Sequence, residues 1–133
     1  TGLHGRWDII AENPLIVLDL AHNDDGIKQA LNQIKSLNIS NNKVHVVIGM
    51  VKDKDVTKVL SLLPKEATYY FTNANIPRAM PSAELADKSA QFGLTGSVFN
   101  NVNDALVNAK KNAAISDMII VCGSVFLVGE VNY

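Results

Sequence analysis

Asp19-Leu20-Ala21-His22-Asn23 brings a carboxylate, an imidazole and an amide within one turn of chain, directly behind the apolar run Leu15-Ile16-Val17-Leu18. Four aliphatic residues in a row read as a buried strand, so the polar groups fall at its carboxyl end. In an open α/β sheet that edge is where ligands bind. Ionisable groups beside a core are costly unless they meet a ligand or satisfy the backbone. Asp19 therefore either accepts hydrogen bonds from a ribose or a cation, or caps the helix that follows. His22 and Asn23 stand where helix amides and the helix dipole favour an anion. Ser124, preceded by Gly123, repeats the logic: a hydroxyl at a strand-to-helix turn serves as a ligand contact or as a cap, and glycine lets a ligand approach the backbone. Arg78 lies in a loop between Pro77 and Pro81, where it can meet a substrate carboxylate or a neighbouring domain. Lys52, Asp53, Lys54 and Asp55 read as a solvated helix start, and His45 as a packed or edge-exposed strand residue. No local motif orients a Ser-His-Asp or Cys-His centre. Gly-x-Gly-x-x-Gly and the P-loop are both absent, so the chain holds no complete nucleotide cradle of either kind.

Positioning these groups requires alternating strands and helices. Strands are expected over 6–11, 15–20, 44–48, 68–72, 97–99 and 118–122. Helices are expected over 24–37, around Val56–Leu63 up to Pro64, around Leu85–Phe92 up to Gly93, around Val102–Ala109, and over 124–131. The pattern implies a Rossmann-like, doubly wound α/β domain: a mostly parallel sheet of about six strands covered on both faces. Asp19, Gly49, Thr72, Asn100 and Gly123 would then project from one sheet edge. The 133 residues are enough for one domain with one core. A net charge of −1 without like-charge runs gives no electrostatic case for nucleic acid or an anionic membrane. No apolar stretch is long enough to span a bilayer, and nothing reads as a signal peptide. The single Cys122 cannot form an internal disulfide and sits in an apolar strand as a buried thiol. These features fit a cytoplasmic location, and the opening Thr1-Gly2 without Met suggests a domain excised from a longer chain.

Gly5-Arg6-Trp7, Asn13-Pro14, Asp19-Leu20-Ala21-His22-Asn23, Gly49 to Asp55, Ile76-Pro77-Arg78-Ala79 and Gly123 to Glu130 together resemble the C-terminal domain of the folylpolyglutamate synthase/dihydrofolate synthase family, within the Mur ligase superfamily. The resemblance runs over nearly the whole chain but about the last third of such an enzyme. It departs at Asp24, where the family usually has Pro; Asp also starts helices, by capping and through the dipole. The resemblance implies that Arg6 and Asp19 contact ATP, and that His22, Asn23 and Ser124 bind L-glutamate; Arg78 stays a possible contact on its loop position alone. It implies an ATP-dependent ligase: a carboxylate of folate or dihydropteroate becomes an acyl phosphate, and the glutamate amine displaces phosphate. The P-loop, the Mg2+ ligands and most folate contacts belong to an N-terminal part of the chain, so no catalytic or metal-binding residue is expected here.

Two rivals remain at this point. One is the C-terminal domain of a peptidoglycan-type Mur ligase, which shares the Asp/His/Asn region but fits the 123–130 segment less well. The other is a non-enzymatic doubly wound module of receiver type. Asp24-Asp25 imitates a receiver's acidic pair, but Val121-Cys122-Gly123 lacks its late lysine.

Overall fold

A computed structural model describes residues 7–52 and 55–132. Six strands form one sheet in the order β1-β2-β6-β3-β4-β5: β1 (Asp8–Glu12), β2 (Leu15–Leu18), β3 (Val44–Ile48), β4 (Thr68–Phe71), β5 (Gly96–Val98) and β6 (Met118–Cys122). The five from β2 to β6 are mutually parallel. β1 is antiparallel to β2, with an irregularity between Ile9 and Ala11, so it closes one edge of an otherwise parallel sheet. The helices are α1 (Asp24–Ser36), α2 (Val56–Leu62), α3 (Ser82–Ala90), α4 (Val102–Asn112) and α5 (Val125–Gly129).

The strand alternation of side chains divides the core in two. Val17, Val46, Ile48, Tyr69, Phe71 and Ile120 point to one face and pack with Ile27, Ile34, Val59, Leu60 and Leu85 of α1, α2 and α3. Ile16, Leu18, Val47, Tyr70, Ile119 and Val121 point to the other, against Val102, Leu106, Leu127 and Val128 of α4 and α5. The central strands β3 and β6 are buried along their whole length, as expected of parallel strands covered on both faces.

The expected elements are all present, with shifted ends. β5 begins at Gly96 and is exposed throughout. At Gly96 a Cβ would fall 1.9 Å from the Tyr69 carbonyl oxygen, so the edge strand approaches β4 through a residue without a side chain. A 3-10 turn over Asn41–Lys43 has no counterpart in the sequence reading, since three polar residues carry no period. The last helix is only five residues long.

One topological fact positions the site. β6 inserts between β2 and β3. The helix after β2 covers one face, and the helix after β6 covers the other. Chains that leave adjacent strands toward opposite faces open a crevice at the carboxyl edge, where ligands of doubly wound sheets bind.

Candidate functional site

The two turns flanking the crevice are tied by their backbones. Asp19 N–H donates to Val121 O at 2.9 Å, and Gly123 N–H to Ala21 O at 2.7 Å. The second bond fixes the His22 turn against the Ser124 turn. It depends on Gly123, whose φ is +106°; a Cβ there would lie 2.3 Å from the Gly49 carbonyl oxygen. Such a conformation and such contact exclude a side chain.

Within the first turn each polar group has a defined direction. Asp19, only 6% exposed, accepts from Ala21 N–H at 2.8 Å. His22 Nδ1 lies 2.9 Å from Leu20 O, so Nδ1 carries the proton and Nε2 points away from the turn. Asn23 is the N-cap of α1, its Oδ1 accepting from Gly26 N–H at 2.8 Å. The capping role considered for Asp19 thus belongs to Asn23: the cap must have extended backbone immediately before the first helical residue, and Asn23 does (φ −134°, ψ 177°). Asn23 has only its amide NH2 to offer an anion.

Ser124 is 4% exposed, and its Oγ accepts from Phe126 N–H at 3.1 Å and Leu127 N–H at 3.4 Å. With both bonds accepted at oxygen, the hydroxyl hydrogen is the group it can direct to a ligand. Arg78 sits on an exposed loop, but its backbone is clamped. Lys52 N–H donates to Arg78 O at 2.8 Å, Met80 N–H to Met50 O at 2.9 Å, and Val51 and Ala79 form an antiparallel bridge. The segment after β3 therefore holds the loop over the sheet edge.

These turns converge. His22, Val51, Arg78, Gly123, Ser124, Val125 and Phe126 line one open cleft of about 150 Å3. Imidazole, guanidinium and hydroxyl, from three segments far apart in sequence, face a common space, and no carboxylate is among the described residues lining it. Such a cleft suits a small carboxylate ligand. A second open cleft of about 180 Å3 is lined by Trp7, Asp19, Gly26, Gln29, Ala30 and Gln33. The two share no residue. Trp7, Gln29 and Gln33 were not singled out by sequence reasoning; helical spacing puts the two glutamines on one face, but nothing in the sequence ties that face to Asp19. Arg6 lies outside the described residues, as do Asp53 and Lys54.

Cys122 is buried beneath the turns. Burial pushes its thiol up to about 12, and the Asp19 charge adds to the shift. It is a packed thiol and not a nucleophile. His45 belongs to the opposite end of the sheet. Its Nε2 lies 2.8 Å from Asp117 Oδ2 and its Nδ1 2.8 Å from Tyr70 Oη; Asn112 Nδ2 donates to Tyr70 Oη at 3.2 Å. The chain is satisfied when Tyr70 donates to Nδ1 and His45 donates from Nε2 to Asp117.

Among the described residues no three His, Cys, Asp or Glu side chains are grouped to hold a metal, and no helix is long and apolar enough to cross a membrane.

Comparison with known proteins gives a consistent match. A family model described as "Mur ligase, glutamate ligase domain" matches residues 5–125. The dihydrofolate synthase/folylpolyglutamate synthase of Buchnera aphidicola subsp. Schizaphis graminum is 32% identical over 130 residues, 96% of this chain and 30% of that protein. The structure of E. coli FolC in complex with DHPP and ADP superposes with a TM-score of 0.84 at 31% identity, over 95% of this chain and 30% of that one. A bifunctional folylpolyglutamate synthase/dihydrofolate synthase with Mn, AMPPNP and L-glutamate bound also gives 0.84 and 31%, with the same coverage. The chain thus spans about 30% of the length of the relatives it matches.

Proposed function

The chain belongs to the Mur ligase glutamate ligase domain family, and from that premise we propose that it is the C-terminal domain of an ATP-dependent ligase that adds L-glutamate to folate, and to dihydropteroate if the parent enzyme is bifunctional. In that reaction a substrate carboxylate is activated as an acyl phosphate, and the glutamate amine displaces phosphate. The observation that carries the reading is the convergence of His22, Arg78 and Ser124 on one cleft.

Each group has a role that follows from its atoms. Arg78 supplies a fork of donors that matches a carboxylate in two bonds. His22 presents Nε2, since Nδ1 is engaged with Leu20 O, and donates from it when protonated. Ser124 donates its hydroxyl hydrogen while its oxygen holds the start of α5. Asn23, assigned to the same ligand, is not among the residues lining the cleft; with its Oδ1 capping α1, its NH2 is the group left to donate. Together these groups fix one or both glutamate carboxylates and so aim the amine, and positioning of this kind removes a large part of the barrier to amide formation.

Asp19 acts in the second cleft, where a carboxylate held by the Ala21 amide is an acceptor for ribose hydroxyls. Arg6 is assigned to the same nucleotide. When bound, ATP supplies the phosphoryl group and Mg2+ screens its charge; the grouped side chains needed to hold that ion belong to the N-terminal part of the parent chain, together with the phosphate-cradling loop. The active site forms when the two parts close on each other. A reaction drawing on ATP and free glutamate supports a cytoplasmic enzyme.

The test is phosphate release dependent on ATP, glutamate and a folate substrate, measured for the full-length ligase and for residues 1–133 alone. Turnover is expected from the full chain and none from the domain. Turnover by residues 1–133, or a full chain that accepts a peptidoglycan precursor in place of folate, overturns the reading.

A further inference from the structure

The two ends of α5 are tied to two sides of the Arg78 cleft. Ser124, the N-cap of α5, lines the cleft. Glu130, its C-cap, accepts the backbone N–H of Asn75 on Oε2 at 2.8 Å, and Asn75 leads into the turn that carries Arg78. We infer that Glu130 is a positioning residue for the amino-acid substrate: it holds the entry to the Arg78 turn, so that α5 sets the spacing between the Arg78 guanidinium and the Ser124 hydroxyl. The inference rests on the reading that this cleft takes glutamate in the parent ligase.

Arg78 occupies the third position of a β-turn, Ile76-Pro77-Arg78-Ala79, closed by Ala79 N–H donating to Ile76 O at 3.1 Å. Pro77 at the second position fixes the backbone there, so the turn moves as a unit and its flanks decide where the Arg78 side chain starts. The flank after Arg78 is held by main chain alone: Lys52 N–H donates to Arg78 O, and Met80 N–H to Met50 O. The flank before it is held by side chains. Asn73 Oδ1 accepts from Ser82 N–H at 3.1 Å, which draws the ends of the loop together, and Asn73 Nδ2 donates to Asn100 O at 3.3 Å. Between Asn73 and the turn, the bond to Asn75 N–H comes from Glu130. An ionised carboxylate accepts about twice as strongly as a neutral oxygen.

Glu130 is itself fixed. Its N–H donates to Leu127 O at 3.1 Å, Val131 N–H donates to Val128 O at 3.2 Å, and Val131 is buried among the residues that pack with α4 and α5. Asn103, in the first turn of α4, donates from Nδ2 to Glu130 O at 2.9 Å and accepts Asn132 N–H on Oδ1 at 2.8 Å. One carboxamide thus grips the chain on both sides of Val131, and the Glu130 side chain extends from a fixed backbone. At ~1.5 Å of rise per residue the two caps of α5 stand roughly 9 Å apart, a span too short to bend. Misplacing a substrate-positioning group by about 1 Å can cost a hundred-fold in rate, and the Arg78 turn is seated by this strut.

The test is a double-mutant cycle of Glu130 and Arg78 in the full-length ligase. Glu130→Ala is expected to raise glutamate KM by roughly 2- to 10-fold, the worth of one net hydrogen bond, with ATP KM unchanged. Glu130→Gln keeps an amide oxygen for Asn75 N–H and should recover most of the loss. In an Arg78→Ala background, Glu130→Ala is expected to add less than about two-fold, because the group it positions is gone; a general loss of stability would add in full. Urea unfolding checks that each variant folds, and Asn103→Ala takes the place of Glu130→Ala in the same cycle if the latter does not. An unchanged glutamate KM in Glu130→Ala, or an increase that multiplies in full with that of Arg78→Ala, overturns the positioning role while the ligase reading stands. If Arg78→Ala itself leaves glutamate KM unchanged, the assignment of the cleft is wrong and the inference falls with it.

Discussion

Asp19 and His22 lie three residues apart on one turn and open into different clefts, Asp19 beside Trp7 and His22 beside Ser124. In the proposed function the turn offers its two ionisable groups to two different ligands. Asp19→Ala should therefore raise the ATP KM of the full-length ligase and leave glutamate KM near its original value, and His22→Ala should do the reverse. Hydrogen bonds to charged partners are worth roughly 1.5–3 kcal/mol, which corresponds to about ten- to a hundred-fold in each affected constant. Equal effects of either variant on both substrates would contradict the division.

Ser124 caps α5 through its oxygen, and in the proposed function its hydroxyl hydrogen is directed to glutamate. Ser124→Ala should raise glutamate KM and also lower stability by about 1 kcal/mol through the lost cap. Ser124→Asp separates the two: an acidic cap restores stability, while its charge repels the carboxylate and keeps glutamate KM high. Urea unfolding paired with initial-rate kinetics reads both. Recovery of glutamate affinity in Ser124→Asp would show that Ser124 acts on the helix alone.

Gly123 joins the two turns. A Cβ at this position meets the Gly49 carbonyl oxygen at 2.3 Å and Ile48 Cγ1 at 2.9 Å, so Gly123→Ala cannot be absorbed by moving a flexible side chain. It should cost on the order of 2–4 kcal/mol in unfolding free energy and abolish glutamate-dependent turnover by displacing Ser124 from the His22 turn. Wild-type stability and turnover in this variant would refute the coupling.

At the far end of the sheet, hydrogen bonds from His45 and from Ala114 N–H hold the Asp117 carboxyl below the usual carboxylate range. A folded pKa below the unfolded one, about 3.9 for Asp, contributes stability above the unfolded value and loses it as pH falls through the folded value. Between pH 5 and pH 3 the wild type should therefore lose more stability than Asp117→Asn, as measured by urea midpoints. Parallel acid profiles would remove Asp117 from the account. Glutamate KM at neutral pH should be unchanged in the variant, since the network sits at the edge opposite the clefts.

Cys122 is 2% exposed, with its thiol pushed up to about 12. The native protein should resist alkylation at pH 8 and react only on unfolding, so that labelling of Cys122 follows the denaturation curve. Rapid labelling under native conditions would contradict the packing described for β6.

The sequence by itself determined the architecture and the family, for a physical reason in each case. Leu15–Leu18, Val44–Ile48 and Met118–Cys122 are apolar without interruption because strands covered on both faces bury every side chain. Ile27, Ala30, Leu31 and Ile34 recur at helical spacing because one stripe of α1 meets the sheet. Asp19, His22 and Ser124 stood out because polar groups directly after such strands fall on the ligand-binding edge. Tertiary structure alone decided how those groups are shared out. Strand order is long-range information: β6, last in sequence, inserts between β2 and β3 and brings Ser124 to His22. No local pattern showed that Asn23 caps α1 in place of Asp19, that backbone bonds from residues 50–52 hold Arg78 over the cleft, or that Asp19 turns away from His22 toward Trp7 and the glutamine face of α1. Each of these depends on where a backbone amide or carbonyl of another segment lies, and only packing places it.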